Sequence, residues 1–172
     1  LEPLIVSALR IPRPASTVTS AVTTLDPEAL QNQGILQLRD ALNAVPGVIS
    51  TSTGGQTGAV SSLFIRGTKT ADSQVVIDGM RLSDSSTPLG NVLSGGRVYD
   101  VGSIEILRGP QGTLYGSGSV GGAVRIITEQ PRLDEFSGSL AGSWSNTAGK
   151  GSENYDGQGI INIPLKEDVF AI

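Results

Sequence analysis

The chain contains no cysteine and no histidine. Without cysteine there is no disulfide, no thiolate metal site and no thiol nucleophile. Without histidine the commonest general base, the commonest metal ligand and the usual partner of a nucleophilic serine are also missing. Most enzyme classes fall away on these two counts, while chemistry carried by pairs of Asp and Glu survives. Aromatic residues are 4%, charged residues 16% and hydrophobic residues 38% of the 172 positions, so the core is expected to be modest. No run of about 18 apolar residues occurs, which excludes a membrane-spanning helix. No basic stretch leads into an apolar one at the start, as a secretory leader would require. The chain opens at Leu1 and stops inside the apolar residues 169–172, which reads as a fragment. The net charge of −4 and the pI near 4.7 argue against a nucleic-acid partner, which needs a basic footprint.

Glycine is abundant, at 23 residues. Tight turns, strands and close backbone approaches use glycine, whereas long helices do not. Residues 4–8 are extended and apolar, and Pro12 and Pro14 then forbid a helix, as in a flexible arm. Residues 18–25, rich in Thr and Val, predict a strand. Asp26-Pro27-Glu28 combines an N-cap, a proline at the first helical position and an acid in the first turn, and Gly34 ends that helix. Residues 36–44 predict a second short helix with Leu38, Leu42 and Val45 on one face, stopped by Pro46-Gly47. Strands are predicted at 62–66, 74–77, 104–107 and 123–128. Asp78-Gly79 between VVI and MRL is a two-residue hairpin signal, and residues 83–96 read as an exposed loop. Residues 11–131 are therefore expected to form a small α+β unit with a mixed sheet and short helices.

After Pro131 the pattern changes. Phe136, Gly138, Leu140, Gly142 and Trp144 alternate with serines and alanine, and a second alternation runs from Tyr155 to Lys166. Val169 starts a third strand. Strands of about ten residues, apolar on one side, fit a transmembrane barrel. An antiparallel sheet over a soluble core has the same period. Trp144 and Tyr155, flanking the connecting loop, favour an interfacial aromatic belt.

Segments in a fixed order carry a more specific signal: EPLIVSA at 2–8, LRDALNAVPGV at 38–48, FIRG at 64–67 with VVIDGMRL at 75–82, IEILRGPQGTLYG at 104–116 and GGAVRIIT at 121–128. Together they resemble the TonB-dependent outer-membrane receptor family, and the region 61–82 is similar to cobalamin and ferric-siderophore receptors. The resemblance implies an arm at 1–10, a plug domain at 11–131, and the first, incomplete strands of an antiparallel transmembrane β-barrel at 132–172. It implies a gate in the bacterial outer membrane for a scarce nutrient, a ferric siderophore or cobalamin. The partners are TonB and the chain's own barrel, and no cofactor or metal is implied. A closed barrel with a plugged lumen has about 22 strands, far more than this chain supplies. A soluble periplasmic binding or interaction module, and a secretin-like or signalling domain, are the competing readings.

Site residues follow from the same resemblance. Glu2, Pro3, Leu4, Ile5, Val6, Ser7 and Ala8 correspond to the segment that TonB grips, and an extended apolar stretch suits addition to another protein's sheet edge. Arg66 and Arg108, each before a glycine at a strand end, correspond to arginines that pair with glutamates on the barrel wall. Gln56, Thr57, Ser85, Ser86 and Tyr99 lie on loops expected to face substrate. Asp78-Gly79 and Gly109-Pro110 are expected to serve backbone geometry. Residues 116–121 match the GxGxxG fingerprint letter for letter, but dinucleotide binding needs a helix after it, and AVRIIT reads as strand. Asp72, Asp78, Asp84 and Asp100 do not have the spacing of a calcium loop.

Overall fold

The computed structural model describes residues 5–6, 13–14, 21–52, 61–82, 96, 98–146, 153–166 and 168–172. The chain divides into two compact units, 1–129 and 130–172.

In the first unit, β1 (Ile5–Val6) pairs antiparallel with β2 (Arg13–Pro14). After β3 (Ala21–Leu25), helix α1 (Pro27–Asn32) begins as its sequence dictates. The Asp26 carboxylate accepts the Glu28 N–H at 3.0 Å, Pro27 occupies the first turn, and Gly34 at φ +76° follows the end. Helix α2 (Leu38–Asn43) is shorter than predicted. The Leu36 carbonyl accepts from the Val98 amide, and the Leu38 amide donates to the Gly96 carbonyl. This bridge holds the first two expected residues, 36 and 37, out of the helix. Leu38, Leu42 and Val45 are buried as a set.

Strands β4 (Val48–Ser52) and β5 (Ser61–Ile65) pair as a hairpin. Strands β6 (Ser73–Ile77) and β7 (Met80–Leu82) are joined by Asp78 at φ +46° and Gly79 at φ +87°. Two successive positive φ values make the type I′ turn that matches strand twist. Asp78 has a second task. Its carboxylate accepts from the Thr128 backbone N–H at 3.0 Å and from the Thr128 hydroxyl at 2.8 Å. Asp78→Ala loses both bonds and places alanine in the left-handed region, so it should cost about 2 kcal/mol. Urea denaturation checks this. Asp78→Asn, which tolerates positive φ and keeps an acceptor, should recover most of the loss.

Strands β8 (Val101–Arg108) and β9 (Gly122–Thr128) complete a mixed sheet of order β3-β8-β9-β6-β7, in which β6 and β9 are parallel and the other pairs antiparallel. This is the α+β architecture expected, with β8 longer than its predicted four residues. Residues 104–107 are all buried because both faces of the sheet are covered. On one face Ile104, Ile106, Val75, Val124 and Ile126 pack with α1, α2 and the β4–β5 hairpin through Leu30, Leu42, Leu63 and Ile65. On the other, Leu107, Val76 and Ala123 pack with Tyr115 of the short helix α3 (Gly112–Tyr115), an element the sequence reading did not anticipate.

The glycine run ending at Gly122 is used for close approach. A Cβ on Gly121 would stand 2.0 Å from the Thr68 hydroxyl, and one on Gly122 would stand 2.3 Å from the Leu107 carbonyl. A strand, not a helix, follows, so the GxGxxG match offers no helix N-terminus to a pyrophosphate.

In the second unit β10 (Ser137–Asn146) and β11 (Glu153–Asn162) pair along their full ten residues. The second predicted strand is divided at Ile163. Beyond Asn162 there is no more β10 to pair with, because Ser137 is its first residue. Ile163 instead exchanges both backbone hydrogen bonds with Ile172, and β12 (Pro164–Lys166) pairs with β13 (Phe170–Ala171). Leu140 lies opposite Gly159, Gly142 opposite Gly157 and Trp144 opposite Tyr155. Leu140 is 89% exposed and Trp144 62%, so this hairpin presents an apolar face outward.

Candidate functional site: an arginine corner and a buried ion pair

Arg66 follows the last residue of β5 in the left-handed region, at φ +53°, and Gly67 continues at +74°. The turn is fixed from both sides. The Arg66 amide donates to the Gly47 carbonyl at 2.7 Å, and the Thr68 hydroxyl donates to the Ile65 carbonyl at 2.8 Å. The guanidinium is directed over Gly109, where an added Cβ would lie 3.4 Å from Nη1.

Arg108 ends β8, between Ala21 of β3 and Gly122 of β9. Its Nη1 donates to the Pro46 carbonyl at 3.2 Å and its Nη2 to the Thr23 hydroxyl at 2.9 Å. Its Nε is buried without a partner. The Pro46-Gly47 turn therefore receives a bond from each arginine, one from a main-chain amide and one from a side chain. Three of the separate motifs converge here, which their spacing did not reveal. Among the described residues neither guanidinium is paired with a carboxylate.

The remaining predicted residues are not brought together. Ile5 and Val6 lie in β1, opposite Pro14 and Arg13. Glu2, Pro3, Leu4, Ser7, Ala8, Gln56, Thr57, Ser85 and Ser86 lie outside the described residues. Tyr99 is half-buried in the turn before β8.

A second charged feature was missed. Glu105, only 1% exposed, accepts a hydrogen bond from Arg125 Nη1 at 3.3 Å across the β8–β9 ladder. Thr24, Glu105, Arg125, Val76 and Arg81 occupy one cross-strand row. At its far end Arg81 donates to the Gln74 side chain at 2.9 Å and the Ser117 carbonyl at 2.6 Å. The available signal was a charge inside each of two apolar strands, IEIL and AVRII, since buried charges require partners. A cavity of about 170 Å³ lined by Val76, Gly79, Tyr115 and Arg125 opens beside the pair, smaller than pockets that enclose organic ligands.

The sequence model of the TonB-dependent Receptor Plug Domain matches residues 14–123. Similar solved structures include the siderophore receptor PirA from Acinetobacter baumannii, at 24% identity and TM-score 0.70, covering 88% of this chain and 23% of that one. The ferric-catecholate import receptor Fiu from E. coli K12 gives 26% and 0.67, with 92% and 21% covered. The outer-membrane ferripyoverdine receptor of Pseudomonas aeruginosa, bound to ferripyoverdine, gives 24% and 0.72, with 96% and 21% covered. The chain thus spans less than a quarter of the length of each of these receptors. With the motifs, the mixed sheet and the matched residues in agreement, the chain belongs to the TonB-dependent receptor plug domain family.

Proposed function

We propose that this chain is the gate of an active transporter, in which residues 11–131 form the plug, residues 1–10 the arm taken by TonB, and residues 132–172 the opening strands of the barrel. Its place is the bacterial outer membrane, the location of the receptors it resembles. The observation that carries the reading is the succession of elements: a family plug fold is followed directly by paired ten-residue strands with an exposed apolar face. At about 3.3 Å per residue such strands are long enough to cross a tilted path through the hydrocarbon layer.

The substrate class is a ferric siderophore. The compared receptors are named for siderophores or their iron complexes, which favours this cargo over cobalamin. The role is transport, with no reaction catalysed. Substrate binds from outside to the loops of plug and barrel. TonB then pulls the arm, and the arginine corner supplies the bonds to barrel carboxylates that the pull must break.

The test is uptake of radiolabelled ferric siderophores by cells whose only such receptor is the complete protein. Uptake that requires TonB is expected, and uptake equal with and without TonB would refute the reading. Reversing charge at the corner gives a further prediction. Arg108→Glu in the complete receptor loses charge-assisted bonds of about 1.5–3 kcal/mol, so displaced plugs and pore leakage should rise by about tenfold or more. Leakage of a large antibiotic across the outer membrane measures it, and an unchanged rate counts against the latch.

A further inference from the structure

Asn162 is the last residue of β11 and is 8% exposed, on a hairpin that is otherwise mostly open. Both heavy atoms of its carboxamide bond to the main chain that precedes β10. Oδ1 accepts the Arg132 N–H at 2.9 Å, and Nδ2 donates to the Arg132 carbonyl at 2.9 Å and the Glu135 carbonyl at 2.6 Å. Bonding both the N–H and the C=O of one residue is what a neighbouring strand does, so the side chain substitutes for a missing strand. Two further contacts fasten the same stretch. The Arg132 and Glu135 side chains form an ion pair, and the Asp168 amide donates to the Leu133 carbonyl at 3.3 Å.

We propose that Asn162 is a positioning residue that anchors the connector 132–135 to the first barrel hairpin, so that chain ahead of Arg132 moves during transport and chain behind it stays fixed. The inference rests on the gate reading for its transport role, but the anchoring itself does not. Asparagine suits the task because one side chain both donates and accepts. Aspartate there would point a carboxylate at two carbonyl oxygens.

The experiment uses the complete receptor and its Asn162→Ala variant, with barrel folding verified by unheated electrophoretic mobility. Trypsin must release the Arg132 backbone to cut the Arg132–Leu133 bond, so cleavage tracks opening of the connector. Loss of the anchor should accelerate that cut by about tenfold or more. TonB-driven uptake should lose maximal rate severalfold with its half-saturating substrate concentration unchanged, and Asn162→Asp should behave as the alanine variant does. Cleavage within about twofold of wild type in a folded barrel overturns the anchor. Faster cleavage with full uptake overturns its transport role. If the wild type shows no TonB-dependent uptake, the gate reading fails while the cleavage arm still judges the anchor. If Asn162→Ala does not fold, hydrogen exchange of wild type decides. The Arg132 amide must be protected at least about tenfold, and exchange at the unstructured rate overturns the proposal.

Discussion

Glu105→Leu will lose about 3–5 kcal/mol of stability, while Glu105→Leu combined with Arg125→Met will recover most of that loss. The single change removes a carboxylate that is 1% exposed and leaves the Arg125 guanidinium, itself only 19% exposed, without its 3.3 Å partner. The change removes this Coulomb attraction, while the guanidinium keeps its desolvation cost. The double change extends the apolar patch of Leu107, Val76, Ala123 and Tyr115 across the row. A domain of this size is stable by about 5–15 kcal/mol, so the single variant removes about a fifth of the total or more. Equilibrium urea denaturation of the chain and its three variants forms a double-mutant cycle. A single-variant loss below about 1 kcal/mol would place the pair with surface ion pairs, which contribute little.

The second large effect lies in the arm. Ile5→Pro in the complete receptor should reduce TonB-dependent uptake to background and leave ferric-siderophore binding unchanged. Proline removes one main-chain donor and fixes φ, and strand addition to a partner sheet depends on main-chain bonds. The plug is expected to stay folded, because among the described residues Ile5 pairs with Pro14 in the short β1–β2 ladder, apart from the five-stranded sheet. Uptake and binding measured on the same cells separate the outcomes. Full uptake removes the arm from the mechanism, and loss of binding as well would point to a damaged plug.

The elements that local chemistry dictates were legible in the sequence. Asp26-Pro27-Glu28 starts α1 as a cap and a first turn must, and Asp78-Gly79 turns the β6–β7 hairpin with both φ values positive. The pairing of ten-residue strands in β10 and β11 followed from a period of two. Where partners are distant the sequence was silent. Helix α2 loses its first two predicted residues to bonds with residues 96 and 98, far along the chain. The second predicted strand is interrupted at Ile163 because β10 ends, a fact about a different segment. The two arginines were legible singly, as cations before glycines, but their meeting at Pro46-Gly47 depends on how β5 and β8 are stacked. Glu105 and Arg125 each looked like an intrusion in an apolar strand until the β8–β9 register set them opposite one another.

The order of the five strands carries a mechanical consequence. Of the five, β3 is the strand nearest the arm in sequence, and among the described residues it occupies a rim position with β8 as its single neighbour. A load arriving from the N-terminal side meets the described part of the ladder at Ala21, opposite Arg108. One ladder has to open there, whereas an interior strand would require two. Stripping β3 away also withdraws the Thr23 hydroxyl from Arg108, so the first strand to yield loosens the grip of a cation some 85 positions further along the chain.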